Sequence, residues 1–490
     1  MRIPIDHYSV IPIYRQIEIF FRKAIQSGTL LPDMRLPASR KLAEDLGISR
    51  ITIENAYAEL KADGLITSRV GSGTYVLPLC PLSSLEIKNS RVTWPLWQQD
   101  LVIGKEIIAG KVLSKRQKIS QHLISFAAGS GDPCLFPVED FRRTIQSVIR
   151  RDGITAFEYG EPSGFTRLRV SIVRVLASQG LQTQPENILI TSGSQQALAL
   201  VSQLLLKPGD VILVESPTYA RALDLFRTLD LKIVGIPLDH HGIQVEKLEE
   251  LLQQLHPKLI YTIPNFQNPT GVSMNSWRRR RLIALVDRYN VPILEDDFVG
   301  DLRYEGRAQP SLKALDPGGR VIYTSTFSKM LLPGLRIGFV VAEGPVYQEL
   351  VRRKHTYDLA SSNLIQRVLE SYLTIGRYQT HLRYSCRIYR RRRDTMLKAI
   401  KLHLPADISV TPPRGGFFIW LCLPENISAK NLLPLASEEG VIFAPGNSFF
   451  PNGSGGDNYL RLNFAANPPE EIEEGVKRLG KVIKRLRQYQ

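Results

Sequence analysis

From Ile188 onward, short runs rich in β-branched residues alternate with helical stretches. NILIT precedes a helix from Ser194, VILVE one from Thr218, KIVGI one near Val245 and KLIYTIP one after Asn275. VPILEDD and RVIYTSTFSK are further strand-like runs. Parallel strands need crossover connections, so this alternation confines the chain to an α/β architecture: a mostly parallel sheet with helices on both faces. Ligands of such sheets bind beyond the C-terminal ends of the strands. The polar signals of this sequence lie at those ends.

TSGSQQAL places Gly193, Ser194 and Gln195 at a strand-to-helix junction, where free backbone N–H groups form a cup for phosphate. ESPTY ends the next strand with Tyr219, a flat ring able to stack, and PNFQNPTG supplies Asn268. LEDD brings Asp296 and Asp297, a costly pair of carboxylates unless a cation lies opposite. STFSKMLLPGLRIGF then presents Lys329 ahead of a Pro-Gly turn and Arg336. Singly, each has a plain structural explanation, such as a core tyrosine, a turn or a surface lysine. Five in chain order at strand ends describe a site for pyridoxal 5′-phosphate (PLP). Asp296 would keep the pyridine nitrogen protonated and Asn268 would bond the phenolic oxygen. Lys329 would form the internal aldimine, and Arg336 would add charge to the phosphate.

The first 77 residues have another character. Ile13, Ile17, Phe20, Phe21, Ala24 and Ile25 keep helical spacing, and SGTLLPDMRLP ends that helix. ASRKLAEDLG is a second short helix stopping at Gly47. Ser49 can cap a third, with Ile53, Ala56, Tyr57 and Leu60 inward and Arg50, Thr52, Glu54 and Asn55 outward near its N-terminus. GLITSRVGSGTYV follows as a hairpin around Gly71 and Gly73. Three helices and a hairpin make a winged helix-turn-helix. The segment RLPASRKLAEDLGISRITIENAYAELKADGLITSRVGSGTYV resembles the DNA-binding module of GntR-type bacterial regulators. The resemblance puts Arg40, Arg50, Thr52 and the wing glycines Gly71 and Gly73 at positions that contact double-stranded DNA. Glu54 departs from the basic residue of some relatives. It can accept from cytosine N4, which makes it a specificity candidate.

The formal net charge of +16, from 63 basic and 47 acidic residues, favours a polyanionic partner. The runs Arg278–Arg281 and Arg390–Arg393 lie in helical segments and read as solvated faces. Four dispersed cysteines without a CxxC pair argue against a zinc site or disulfide framework and fit a reducing cytoplasm. The histidines lack ligand spacing, so no metal is expected. The opening MRIPIDHYSVIPIYRQ holds no apolar run of signal-peptide length, and no stretch is long enough to span a membrane. Between residues 78 and 122 periodicity fades, which reads as a linker between a DNA-binding domain (1–77) and an effector domain (123–490).

From about Leu123 the motifs and their order resemble fold-type I aminotransferases, which implies a PLP-dependent transferase-like fold with a small C-terminal domain. By that resemblance Thr326 also reaches the phosphate, and Tyr159 in YGEPSG reaches the phosphate of a neighbouring subunit. Arg461 in YLRLNFA grips a substrate α-carboxylate, with Arg221 a second candidate for an effector carboxylate. Family enzymes place a tyrosine two or three residues after the ring-nitrogen aspartate, but this chain has Phe298 and Val299. Neither can donate a hydrogen bond, which puts ordinary transamination in doubt. A GntR-type winged helix fused to such a domain resembles the MocR-type regulators. That resemblance implies a head-to-tail homodimer that binds promoter DNA and senses an amino acid, an amine or PLP itself through an aldimine at Lys329. The rival reading is a working aminotransferase with an accessory DNA-binding module.

Overall fold

The computed structural model describes residues 3–6, 9, 11–69, 72–77, 123–453 and 455–488. The expected linker 78–122 and the wing residue Gly71 lie outside the described residues. The described residues fall into two compact units, one holding those up to residue 77 and the other those from 123 onward.

In the N-terminal unit, α1 (Ile13–Gln26) buries Ile17, Phe21 and Ile25. The helix α2 (Ser39–Leu46) ends at Gly47, whose φ of 64° suits a residue without Cβ. Ser49 Oγ accepts from Ile51 N and so caps α3 (Arg50–Ala62). The predicted inner stripe of Ile53, Ala56, Tyr57 and Leu60 is buried. Tyr57 meets Phe21 edge-on at 5.6 Å, and its hydroxyl donates to Pro37 O at 3.0 Å, so the ring buries its face without orphaning its polar tip. Strands β1 (Ile66–Arg69) and β2 (Gly73–Val76) pair antiparallel as the wing, with Arg69 opposite Gly73.

The second unit is built on eight strands: β4 (Ile188–Thr191), β5 (Val211–Ser216), β6 (Lys232–Asp239), β7 (Gly242–Ile243), β8 (Leu259–Thr262), β9 (Ile293–Asp296), β10 (Val321–Thr326) and β11 (Gly338–Val341). Their order across the sheet is β4-β11-β10-β9-β8-β5-β6-β7. The sheet is parallel except where β11 runs against β10 and β4, and β7 against β6. Helices cover both faces, which is why β4, β8 and β9 are buried along their whole length. Largely apolar strand bodies concentrate the polar residues toward the C-terminal ends, where they gather along one edge.

Before this sheet, β3 (Ile124–Ser125) begins the unit. Beyond it, β12 (Ser409–Val410), β13 (Phe418–Cys422), β14 (Val441–Ile442), β15 (Ala444–Pro445) and β16 (Tyr459–Asn463) form a small domain. Its antiparallel sheet has the order β12-β13-β16-β15, while β14 pairs with β3. The long helices Arg377–His403 and Pro469–Gln488 also belong to this region.

The two arginine runs are not solvated faces. Arg279, Arg392 and Arg393 are buried, with Arg278 at the edge of burial, while Arg280, Arg281, Arg390 and Arg391 are exposed. Arg279 donates to Met274 O, Pro310 O, Pro264 O and Asn265 Oδ1 at 2.7–3.0 Å. A buried guanidinium without such acceptors would cost several kcal/mol, so these carbonyls decide the matter. Arg392 likewise meets Asp132 and Ala465 O. Among the described residues no helix is long and apolar enough to cross a membrane, and no group of three metal-ligating side chains occurs.

Candidate functional site

The turn after β4 leads through Ser192 and Gly193 into the helix Ser194–Leu205. Gly193 takes φ 95°, and no side chain caps this helix, so the N–H groups of its first turn point outward unclaimed. Gly338 on β11 makes the close approach possible, since a Cβ there would lie 2.7 Å from Gly193 C and 2.8 Å from Ser194 N. Arg336, in a left-handed conformation with φ 51°, donates to Ser192 O at 2.7 Å and is thereby held beside the turn. A cavity of about 540 Å³ opens here, lined by Ser194, Gln195, Thr326, Ser328, Lys329 and Arg336 among others. Free helix N–H groups and a fixed guanidinium suit a dianionic phosphate.

A second cavity of about 310 Å³, sharing Ser194, Tyr219, Arg221 and Lys329 with the first, is also lined by Asn268, Asp296, Phe298 and Arg461. Asp296, at the end of β9, accepts from Tyr261 OH at 2.9 Å through Oδ2, while its Oδ1 is buried without a partner. Burial pushes its pKa up to about 7, aided by the charge of Asp297 and opposed by Tyr261 and Lys329. Asp297 points the other way, accepting from Tyr323 OH at 2.9 Å and Asn265 Nδ2 at 3.1 Å. Strand alternation therefore separates the two carboxylates, and no shared cation is needed.

Lys329 Nζ donates to Gly129 O at 2.9 Å. Burial, then the charges of Arg461 and Arg336, lower its pKa, against the pull of Asp296. A lowered ammonium pKa leaves more free amine to attack a carbonyl. Arg461, mid-strand on β16, is buried and bonds Asn268 Oδ1 at 2.9 Å and Ala127 O at 2.8 Å. Its guanidinium lies 4.1 Å from the Phe418 ring centroid, and its Nε has no partner. Burial lowers its pKa to about 10, and no carboxylate offsets that cost. A buried cation lacking a counter-ion is suited to a ligand carboxylate.

Two expected residues stand apart. Tyr159 is 86% exposed, away from the cavity of its own chain. Arg221 lines the cavity but is largely exposed, with Asp224 at 3.4 Å. Thr326 donates its hydroxyl to Ile337 O and accepts from Ser328 N. The neighbouring Ser328 Oγ is buried without a partner. Ser328 escaped the sequence reasoning, although its place directly before Lys329 was a usable signal.

In the N-terminal unit, Arg40, Arg50 and Glu54 are exposed and Thr52 is half-buried. Arg50 Nε donates to Glu54 Oε1 at 2.7 Å, one turn away on α3. At the wing, a Cβ on Gly73, with φ 121°, would lie 2.7 Å from Arg35 Nε. Arg69 lies over the Tyr75 ring at 4.9 Å.

The sequence pattern described as Bacterial regulatory proteins, gntR family, matches residues 13–76, and that of Aminotransferase class I and II matches residues 125–479. The HTH-type transcriptional regulator YdfD of Bacillus subtilis is 33% identical, with 97% of each chain covered. The probable rhizopine catabolism regulatory protein MocR of Rhizobium meliloti is 30% identical over 97% of this chain and 94% of its own. The chain belongs to the MocR-type subfamily of GntR regulators. Its aminotransferase domain also resembles solved enzymes. One is the Pyrococcus horikoshii kynurenine aminotransferase in complex with PMP, with a TM-score of 0.75, 37% identity, and 82% of this chain and 99% of that one covered. Another is LysN, the α-aminoadipate aminotransferase of Thermus thermophilus complexed with N-(5′-phosphopyridoxyl)-L-leucine, with a TM-score of 0.72, 35% identity and coverage of 80% and 98%.

PLP is the cofactor of this MocR-type domain, and the residues present fit it. The unpartnered Asp296 Oδ1 is an acceptor for a protonated ring nitrogen, and the turn between Gly193 and Gly338 leaves room that any Cβ would fill. Tyr219 offers the cavity an aromatic wall, and Lys329 presents a primary amine to it. On the same wall Phe298 offers only a ring, stacked near Phe418 at 6.5 Å.

Proposed function

We propose that this chain is a PLP-dependent, DNA-binding transcriptional regulator that senses an amino acid, an amine or PLP itself through Lys329. The observation that carries the reading is the cavity in which Lys329, Asp296 and Arg461 meet, in a chain that also carries a winged helix. The bound cofactor supplies a carbonyl that exchanges amines and a ring that stores electrons. Asp296 holds the ring nitrogen, while the Ser194 turn, Ser328 and Arg336 hold the phosphate. Lys329 would supply the amine with which an effector amine competes, and Arg461 would take the carboxylate. Phe298 supplies no hydroxyl to the cavity, which favours a sensor over an efficient transaminase.

DNA is read by α3 and the wing together with Arg40 of α2, with Arg50, Thr52, Glu54 and Gly73 at the other contact positions. The protein acts as a head-to-tail homodimer. The exposure of Tyr159, together with that of Ile154 and Phe157, supports a partner subunit covering this region. Residues 1–77 form the DNA-binding domain and 123–490 the effector domain.

One observation favours a second reading, that of a working aminotransferase. Aromatic-amino-acid aminotransferase 1 of Thermococcus litoralis is 41% identical over 74% of this chain and 88% of its own. The test is direct. Sequence-specific DNA binding that weakens steeply with salt and responds to an amine supports the regulator. Steady formation of keto acid from an amino donor, with no specific DNA binding, overturns it.

A further inference from the structure

The outer face of α3 carries a large apolar side chain for which the fold has no use. Ile51 is 67% exposed, whereas the other large apolar residues of this helix are buried. By helical spacing it shares a stripe with Glu54, Asn55 and Ala58, all exposed. The Arg50–Glu54 ion pair lies alongside at 2.7 Å. A single apolar side chain bordered by charge is too small for a protein-docking patch. Helix propensity does not account for it either, because a β-branched residue is a middling helix former. Its backbone is nevertheless fixed, with Ile51 N donating to the capping Ser49 Oγ at 3.3 Å.

We propose that Ile51 reads thymine by packing against the 5-methyl group in the major groove. The proposal rests on α3 being the recognition helix, whose N-terminal residues approach base edges. Thymine is the one base that offers a methyl group there, and an apolar side chain is its natural contact. Arg50 and Glu54 stand beside it as polar readers. Ile51 thus adds an apolar element to a site otherwise read through charge and hydrogen bonds.

The test begins with a duplex selected by the full-length chain from a random-sequence pool. Each thymine is then replaced singly by deoxyuridine, which lacks only the methyl group. Anisotropy titration should show about fourfold weaker binding, the worth of one buried methyl, at one thymine position for each bound module. The ratio should persist at raised salt, since no charge is involved. Ile51→Ala should bind both duplexes alike, while Ile51→Val should keep the preference. The proposal fails if no single exchange alters wild-type affinity, or if Ile51→Ala still prefers thymine. Failure of the chain to enrich any sequence would instead remove DNA reading by α3 altogether.

Discussion

Asp296 keeps its proton at a pH where a carboxyl group in water has lost it. Glu215 on β5 and Glu295, which precedes Asp296 on β9, are likewise raised to about 7, first by burial. In the unfolded chain such groups ionise near pH ~4, so between there and about pH 7 the folded state binds more protons. Their contribution to stability is present at low pH and is lost as pH rises through the folded values. Cofactor-free protein should therefore melt at a lower temperature at about pH 8 than at about pH 6. Asp296→Asn should lessen the fall, as should saturating PLP, whose ring cation would compensate the carboxylate. A melting temperature that is flat or rising over this interval in the cofactor-free wild type would contradict this account. Phe298 is tested by adding the hydroxyl it lacks. Phe298→Tyr should shift the pH midpoint of the bound cofactor's visible absorption band downward, because a donor to the phenolic oxygen favours the unprotonated form. An unchanged or raised midpoint would mean that a donor comes from elsewhere or that none matters.

At the scale of elements, the turn between β4 and the helix Ser194–Leu205 is held open by glycine. Gly338→Ala drives a methyl into Gly193 and Ser194 backbone atoms, which cannot retreat as a side-chain end could. PLP affinity should fall by at least roughly tenfold, about 1.4 kcal/mol, while DNA binding by α3 without effector persists. Equal PLP affinity in an absorbance titration would remove the turn as the phosphate site. On α3, Arg50→Ala should weaken binding to the cognate site, and Glu54→Ala should relax preference at one base pair by ~1–3 kcal/mol. Because Glu54 pairs with Arg50, the two effects should be non-additive in a double-mutant cycle. The inner stripe of α3 was legible in the sequence because helical periodicity alone decides which side faces a core. The strand-end residues were legible because apolar strand bodies leave few polar positions. The burial of Arg279 was not, since it depends on carbonyls at Met274, Pro264 and Pro310 that only the folded chain assembles. Nor was the separation of Asp296 from Asp297 recognised, although period-two alternation predicts it. Ser328 was missed although it directly precedes Lys329, because only the folded chain shows its hydroxyl buried without a partner.

At the scale of the whole molecule, the claim is that amine chemistry at Lys329 changes DNA binding by a domain far away in sequence. Such coupling requires that the effector bind two states of the protein unequally. Lys329 and Arg461 are the groups through which it would do so, since one exchanges with the amine and the other grips the carboxylate. The most direct measurement is a DNA titration of wild type and Lys329→Ala, both with PLP, across a panel of amino acids and amines. Wild type should change its affinity or DNA bending with at least one of them. Lys329→Ala should fold, retain basal DNA binding and show no such response. A full effector-induced change in Lys329→Ala would contradict the account.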